Sequence, residues 1–301
     1  MHAAQVTKWG EEPHLVDLAK PEIPAADSDD IQLKVIASGV SRFVRSRAAG
    51  KHYTSGSPPH VPGADGVGRT EDGQLVYFMS QGVTGAMAEY INLPKRNTRP
   101  LPEGADPVQI AGWMNPGMAS WMAMQSRTNN LPENFTVLVI GATTMSGTAA
   151  ISFARTLGAG KVIGAARSNM QDLGLDETIQ LTDSTDFATL GDIDVVLDFL
   201  YGAPALQFFN TFRSQRPTQY VQIGSLAGLD TPLPAAVLRA KNLTIRGSGP
   251  GAWRMMELAQ EIPGLLNAVA KLPSFPFVVR QLEDVEDAWK DEKARIVISL
   301  E

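Results

Sequence analysis

An apolar strand, a tight turn and a helix with small residues along one side follow one another between positions 137 and 158. A helix that begins directly after a strand offers free backbone N–H groups and the positive end of its dipole, and together these bind phosphate or pyrophosphate. Four residues are small enough for the helix to pack closely on a sheet: Ala142, Gly147, Ala150 and Ala154. Positions 161–165 then predict a second strand, which completes the βαβ unit of a dinucleotide-binding domain.

The glycine fingerprint of such a unit, G-x-G-x-x-G, is only partly present. It falls on Ala142, Thr144 and Gly147, and a side chain at Thr144 restricts the approach of the backbone to the phosphates. The turn alone therefore leaves open a doubly wound sheet that binds no dinucleotide. If the turn does hold a pyrophosphate, the binding residues are Ala142, Thr143, Thr144, Met145, Ser146 and Gly147.

The second predicted strand ends in Ala165-Ala166-Arg167-Ser168. NAD-selective units place a carboxylate there to bind the ribose 2′-hydroxyl, and this chain has none. A guanidinium and a hydroxyl suit a 2′-phosphate, so the sequence predicts NADPH; the alternative is that Arg167 is a solvated loop charge. Ligands of open α/β sheets lie outside the carboxyl ends of the strands, which adds five candidates for cofactor contact: Tyr201, Gly224, Ser225, Gly247 and Ser248.

Apolar strands alternate with helical segments from Pro116 to about Ser248, and this alternation predicts a parallel sheet that is buried on both faces. The strands are expected at 135–140, 161–165, 193–197, 219–223 and 242–246, and a helix at 147–157. Within the first hundred residues, short runs separated by Gly and Pro predict a compact β-barrel-like unit; they lie at 2–8, 31–38, 74–79 and 88–93. A helix at 257–271, kinked or broken at Pro263, and a strand at 295–300 complete the chain.

The composition excludes several classes of protein. The 301 residues include no cysteine, which rules out disulfides, thiolate catalysis, Cys-ligated zinc and iron–sulfur clusters. It is also compatible with the cytoplasm, where we expect the protein. The net charge of -6 argues against nucleic acid as a partner. No apolar run approaches the ~20 residues that cross a membrane, so we expect no membrane partner either.

Short motifs in a consistent order through most of the chain resemble a known family. They are Val35-Ile-Ala-Ser-Gly-Val40, Val61-Pro-Gly-Ala-Asp-Gly-Val-Gly68, Gly85-Ala-Met-Ala-Glu-Tyr90, Val195-Val-Leu-Asp198, Tyr220-Val-Gln-Ile-Gly224 and Lys241-Asn-Leu-Thr-Ile-Arg-Gly-Ser248. Through these motifs, the chain resembles the zinc-free medium-chain dehydrogenases/reductases of the quinone oxidoreductase (zeta-crystallin-like) or enoyl reductase type.

The resemblance implies an α/β fold in which a Rossmann doubly wound parallel sheet is inserted in a GroES-like β-barrel catalytic domain. The implied boundaries are 1–115 for the GroES-like domain, 116–249 for the Rossmann nucleotide-binding domain and 250–301 for a C-terminal segment that returns to the catalytic domain. The resemblance also implies NAD(P)H bound in a cleft between the domains, and commonly a homodimer. The implied reaction is hydride transfer to a quinone or to the C=C bond of an α,β-unsaturated carbonyl compound.

The histidines and the motif positions bear on whether a metal is used. Zinc-dependent alcohol dehydrogenases of the superfamily need a Cys and a His at two positions where this chain has Ser41 and Ala64. His52 and His60 are eight residues apart, which is not the short spacing that presents two imidazoles from one helix. We therefore predict two loop histidines, no metal ligands and a zinc-independent reaction.

The chain also departs from the family pattern at a few places. Quinone reductases usually carry Asn where this chain has Ser41, and Ala119 stands where the family has the Thr of its Gly-Leu-Thr-Ala turn. The segment 68–77 is short, which predicts a trimmed hairpin. The segment 168–175 is short as well, which predicts a shrunken helix after the second strand of the Rossmann unit.

Two residues of the predicted catalytic domain are candidates for contact with the reacting groups. The phenol of Tyr53 could hydrogen-bond a substrate oxygen or the cofactor, or the ring could simply pack its loop. Ser41 could bond the nicotinamide ribose or carboxamide. Three cations crowd the same loop and either attract an anionic substrate or the phosphates or form a solvated charged face: Arg42, Arg45 and Arg47.

The leading interpretation is an NADPH-dependent, zinc-independent reductase of a small-molecule quinone or enone. One alternative is a catalytically weak NADPH-binding redox sensor or scaffold of the same fold, which the residues at Ser41, Ala119 and Thr144 motivate. Another is a specialised reductase of a biosynthetic pathway that acts on an unusual substrate. NADPH binding with and without turnover of quinones and enones separates the first two.

Overall fold

The structure is a computed structural model that describes residues 1–80 and 84–301. The chain divides into two units. The first consists of Met1–Asn115 and Ile262–Glu301, and the second of Pro116–Glu261. Residues 250–261 fall in the second unit of this division, whereas the family resemblance implied that they belong to the C-terminal segment.

Strands and helices are numbered in chain order. The strands are β1 (His2–Gln5), β2 (His14–Asp17), β3 (Asp30–Gly39), β4 (Asp65–Arg69), β5 (Leu75–Met79), β6 (Tyr90–Pro94), β7 (Thr98–Pro100), β8 (Thr136–Ile140), β9 (Lys161–Ala166), β10 (Glu177–Gln180), β11 (Val195–Asp198), β12 (Thr218–Gln222), β13 (Leu243–Gly247), β14 (Val278–Gln281) and β15 (Ile296–Ser299). The α-helices are α1 (Arg42–Ala48), α2 (Pro107–Arg127), α3 (Met145–Thr156), α4 (Gly202–Thr211), α5 (Ala235–Ala240), α6 (Met255–Val269) and α7 (Val285–Lys290), and short 3-10 turns lie at Lys95–Asn97, Phe187–Leu190 and Leu282–Asp284.

The second unit is built on a parallel sheet with the strand order β10-β9-β8-β11-β12-β13. This is the doubly wound order, in which the first strand of the unit lies at the centre and the chain winds outward in both directions. The central strand β8 is buried at all five residues, because helices or loops cover both faces. The parallel sheet predicted from the apolar strands is confirmed.

An aromatic cluster fills one side of this sheet. Phe208 stacks on Phe212 with ring centroids 4.5 Å apart, and the ring of Phe209 lies 4.8 Å from that of Tyr220. These side chains pack on the strand residues Leu138, Ile140 and Val196. Phe208 and Phe209 lie on helix α4, and Phe212 directly follows it. Their packing fixes the helix against β11 and β12.

The first unit holds a bent sheet with the order β14-β15-β3-β4-β5-β7, to which β6 is added by pairing with β3. The ten-residue strand β3 pairs with β4, β6 and β15. A register shift between Val35 and Ala37 bends the strand, as β-bulges do, so that it serves several neighbours. The β-rich unit expected from the first hundred residues is confirmed, and β15 brings the C-terminal residues back into it.

The connection from β9 to β10 differs from the prediction. The sequence predicted a shortened helix there, but residues 167–176 contain none. Parallel neighbours usually need a crossover of a dozen or more residues, and ten residues here make a bare loop. A Cβ on Gly164 of β9 would lie 2.4 Å from Cδ1 of Leu175, so the Leu175 side chain covers the strand at this point.

Two further expectations concern the helices, namely a break at Pro263 and the lack of a membrane span. Helix α6 continues through Pro263, so the break considered at that proline does not occur. None of the helices in the described part of the chain is long and apolar enough to cross a membrane.

Candidate functional site

The candidate cofactor residues lie at one edge of the parallel sheet of the second unit, because each group follows the carboxyl end of a strand. The turn after β8, the Arg167-Ser168 pair after β9 and Tyr201 after β11 are three of these groups. Gly224 and Ser225 follow β12, and Gly247 and Ser248 close β13. A cleft of about 350 Å³ at this edge is lined by Tyr201 and Gly247, among others.

The turn after β8 is held by its glycines and by one threonine. Gly141 has φ of +92°, a conformation that glycine adopts without strain. A Cβ on Gly147 would lie 2.2 Å from the carbonyl oxygen of Gly141, so only glycine fits there. Thr144 is the N-cap of α3: its hydroxyl donates to the Gly141 carbonyl at 2.8 Å and accepts from the Gly147 N–H at 2.9 Å. The Thr144 side chain is thus folded into the turn.

The remaining backbone donors of this turn suit an anion. Among the described residues, no acceptor lies against the N–H groups of Thr143, Met145 and Ser146. Three free donors at the N-terminus of a twelve-residue helix, together with the helix dipole, match the phosphates of a dinucleotide. The residues present therefore fit the group that the sequence predicted, even though only one of the three fingerprint glycines remains.

Arg167 and Ser168 lie beside this turn. Both are exposed, and the Ser168 hydroxyl is 3.2 Å from that of Thr143. In the described part of the chain, no acidic side chain pairs with the Arg167 guanidinium. Its charge is therefore open to a phosphate next to the pyrophosphate turn.

Asp198 organises the loop after β11, and sequence reasoning did not assign it a role. Its carboxylate accepts the N–H groups of Leu200 at 2.8 Å and Tyr201 at 3.0 Å, and it also accepts the hydroxyl of Tyr220. Burial raises the pKa of the Asp198 carboxyl, while these hydrogen bonds act to lower it. They hold Tyr201 at φ +56°, a strained conformation for a tyrosine. An aspartate that ends a fully apolar strand was the available signal.

The loops after β12 and β13 are tied to their neighbours. The Gly224 N–H donates to the Asp198 carbonyl at 3.1 Å, and the Ser248 N–H donates to the Gln222 carbonyl at 2.8 Å. The Ser248 hydroxyl accepts from the Trp253 indole at 3.0 Å. These two backbone N–H groups are thus engaged within the sheet edge, whereas Ser225 is exposed.

In the first unit, Ser41 is paired with a residue that sequence reasoning missed. The Ser41 hydroxyl accepts the Val44 N–H as the N-cap of α1 and donates to Oδ1 of Asn115 at 2.7 Å. An amide therefore stands next to the position where the family usually has Asn. Tyr53 is 70% exposed, and its ring lies 4.2 Å from that of His52, which places it on the surface of its loop.

Of the two histidines predicted to lie in loops, His52 does so, whereas His60 forms an isolated β-bridge with Val6. Nδ1 of His52 is 2.8 Å from the Thr54 hydroxyl, and burial lowers the pKa of His52 and of His60, with Arg47 as a further cause. Within residues 1–80 and 84–301, no three His, Asp or Glu side chains converge as a metal-binding cluster.

Known proteins of the same fold are similar to this chain. No protein-family model matches it. A protein of Emericella nidulans, the probable NADPH-dependent quinone reductase tdiC, is 33% identical over 355 aligned positions that cover 99% of each chain. The chain belongs to the quinone oxidoreductase family of the medium-chain dehydrogenases/reductases. It is therefore an oxidoreductase, and the α/β fold class predicted from the sequence is confirmed.

Solved structures of quinone oxidoreductases have a similar fold. The quinone oxidoreductase of Thermus thermophilus, solved also as its complex with NADPH, is 26% identical, with a TM-score of 0.84 and complete coverage of both chains. The quinone oxidoreductase of Pseudomonas syringae pv. Tomato is 20% identical with a TM-score of 0.81, covering 99% of both chains, and supports the fold. The alignment with the Emericella protein exceeds the 301 residues of this chain by 54 positions (355 − 301), so this chain carries deletions relative to that family member.

Proposed function

We propose that this protein transfers hydride from NADPH to a small-molecule quinone, or to the C=C bond of an α,β-unsaturated carbonyl compound, without a metal ion. The observation that carries the proposal is the identity of 33%, over 99% of both chains, to the probable NADPH-dependent quinone reductase of Emericella nidulans. The free N–H groups after β8 and the unpaired Arg167 support the choice of a phosphorylated dinucleotide.

When bound, NADPH supplies the hydride, and the residues of the chain bind and orient the reactants. Thr143, Met145 and Ser146 donate backbone N–H groups to the phosphates, and Arg167 and Ser168 bind the 2′-phosphate. The remaining members of the turn shape it: Ala142, Thr144 and Gly147. At the other strand ends, the nicotinamide contacts come from Tyr201, Gly224, Ser225, Gly247 and Ser248.

In the first unit, Ser41 and Tyr53 serve the substrate side. The Ser41 hydroxyl bonds the nicotinamide ribose or carboxamide, with Asn115 fixing its orientation. The exposed phenol of Tyr53 donates to an oxygen of the substrate, where charge develops during reduction of a carbonyl-conjugated bond.

Zinc independence rests on the residue types. The two positions at which zinc enzymes of the superfamily place Cys and His hold Ser41 and Ala64 here. An alanine offers no ligand atom, and a serine hydroxyl is not among the usual zinc ligands. Elemental analysis that finds one zinc per chain, together with loss of activity on chelation, would contradict this part of the proposal.

The test of the function is an anaerobic assay of NADPH oxidation with a panel of quinones and a panel of enones, each with and without chelator. We expect turnover of at least one quinone, unaffected by the chelator, and a much lower rate with NADH. NADPH binding without turnover of any compound would instead support the redox sensor or scaffold.

We also propose that the protein is a homodimer that pairs through β13. This strand is the edge of the parallel sheet, and an unpaired edge is a surface for pairing with another chain. Large apolar side chains lie exposed near it, with Leu229 at 81% and Leu238 at 53%. An exposed apolar surface next to a strand edge is typical of an interaction site.

A further inference from the structure

The arginines of α1 differ in the groups that they contact. The Arg45 guanidinium donates to the backbone carbonyls of Ala288, Trp289 and Asp291, where α7 ends. It therefore holds α7 in place and is not available to a ligand. Arg42, at the start of α1, is exposed, and no hydrogen bond or ion pair engages it within the described residues.

Arg295, which directly precedes β15, is the neighbour of Arg42. Val297 of β15 pairs with Gly39, and the Val40 N–H donates to the Ile296 carbonyl at 2.9 Å. This register places Arg295 opposite Ser41, beside Arg42. Burial lowers the pKa of Arg295, and the positive charge of Arg42 lowers it further, so the two guanidiniums are close enough to repel each other.

Arg295 is half-buried, yet no acidic group or carbonyl of the described residues pairs with it. Asp291, four residues earlier in the chain, accepts the backbone N–H groups of Lys293 and Ala294. The three residues outside the described range, 81–83, carry no charge. A half-buried cation without a partner, next to a second cation, costs free energy, and an anion bound between them removes that cost.

A third donor lies at the same place. Asn115 uses its Oδ1 to accept from the Ser41 hydroxyl at 2.7 Å. Its amide NH₂ then has two hydrogens to donate, and none of the described residues accepts them. Two guanidiniums and an amide thus lie near Ser41, and each is a donor that suits a carboxylate or another oxyanion.

We propose that Arg42, Arg295 and Asn115 form a subsite for an anionic group on the substrate, such as a carboxylate, a sulfonate or an ionised hydroxyl of a quinone. The inference rests on the proposed function, since it names the substrate class of the same reductase. It predicts that acidic quinones are better substrates than neutral ones of the same shape.

The test compares naphthoquinone with its sulfonate in steady-state assays of the full-length protein. The readout is the ratio of kcat/KM for the sulfonate to kcat/KM for the neutral quinone. We expect this ratio to fall about tenfold in Arg295→Gln, the loss of one hydrogen bond to a charged group, and severalfold in Arg42→Gln. Arg96→Gln is the matched control and is expected to leave the ratio unchanged. Arg96 is an exposed arginine of the same unit, and no acidic side chain in the described part of the chain pairs with it.

Two results overturn the subsite. One is a ratio that stays the same in Arg295→Gln and Arg42→Gln. The other is a rise in the KM for NADPH with an unchanged ratio, since the anion is then a phosphate of the cofactor. Because Gln removes an uncompensated charge, we expect the melting temperature of Arg295→Gln to be no lower than that of the wild type.

If the wild type reduces neither quinone, the proposed function fails, and calorimetric titration of the two quinones still decides the subsite. Tighter binding of the sulfonate in the wild type, lost in Arg295→Gln, supports the subsite without turnover. Equal affinity for both quinones overturns it.

Discussion

Replacement of Arg167 by alanine tests whether the loop after β9 selects the cofactor. The guanidinium is exposed and has no acidic partner in the described part of the chain. The hydroxyl of the adjacent Ser168 is 3.2 Å from that of Thr143 in the turn after β8. A 2′-phosphate at this place meets one charged and one neutral donor, whereas the 2′-hydroxyl of NADH gives the guanidinium no charge to bind.

The magnitude follows from the kind of hydrogen bond that is lost. A hydrogen bond to a charged group contributes about 1.5–3 kcal/mol, which corresponds to roughly a 10- to 150-fold change in affinity. Because Arg167 is exposed and its charge is screened by solvent, we expect a loss of about tenfold in NADPH affinity. NADH affinity is expected to stay nearly constant. Arg167→Asp goes further, since its carboxylate repels the phosphate and accepts a hydrogen bond from the 2′-hydroxyl.

The assay is a pair of titrations with NADPH and NADH on the wild type, Arg167→Ala and Arg167→Asp. Arg239→Ala serves as the control, because Arg239 on α5 is an exposed arginine of the same unit that has no acidic partner among the described residues. Equal affinity of the wild type for NADPH and NADH refutes the reasoning. So does an equal loss of affinity for both cofactors in Arg167→Ala.

Three further predictions concern the wild-type fold and assembly. Thr144→Ala removes the N-cap of α3 and is expected to lower the free energy of unfolding by about 1 kcal/mol in urea, whereas Thr144→Ser retains the cap; an equal loss in both contradicts the capping role. Burial raises the pKa of Asp65 to about 7 from 3.8, so ionisation costs stability as the pH rises from about 4 to about 7. Relative to Asp65→Asn, the wild type should lose up to about 4 kcal/mol over that range, and a constant difference between the two proteins across it argues against the raised pKa. Leu229→Glu, at the exposed edge beside β13, should convert the proposed dimer to a monomer, as measured by light scattering. A wild type that is already monomeric at micromolar concentration would contradict the proposed dimer.

The parallel sheet was predictable because its strands are apolar almost to their carboxyl ends. Val137–Ile140 and Val195–Leu197 contain no polar side chain, so they are stable only between two covered faces. The rule that ligands lie outside the carboxyl ends of such strands then placed the candidate cofactor residues at one edge. Neither step required the position of any side chain.

The loop after β9 was not predictable in the same way. Met170 and Leu173 have a spacing that also fits the apolar face of a helix. In the structure, Asp172 and Gly174 both have positive φ, a conformation that interrupts a helix. A single aspartate in that conformation leaves no distinctive pattern in the sequence.

The side-chain arrangement of the site could not be predicted from the sequence either. Whether Thr144 blocks the phosphate or caps the helix depends on its rotamer, and the structure shows the cap. The pairing of Ser41 with Asn115 joins residues 74 positions apart. The role of Asp198 depends on the N–H groups of Leu200 and Tyr201, which turn back toward its carboxylate in a loop where Tyr201 has positive φ.

The central claim is that this chain reduces a quinone with NADPH and without a metal. The most direct measurement is an anaerobic single turnover, in which metal-depleted protein is mixed with NADPH and naphthoquinone in chelator and both products are quantified. We expect one quinol for each NADPH oxidised, at a rate that the chelator does not change. Retention of both reactants unchanged, with NADPH bound to the protein, would contradict it.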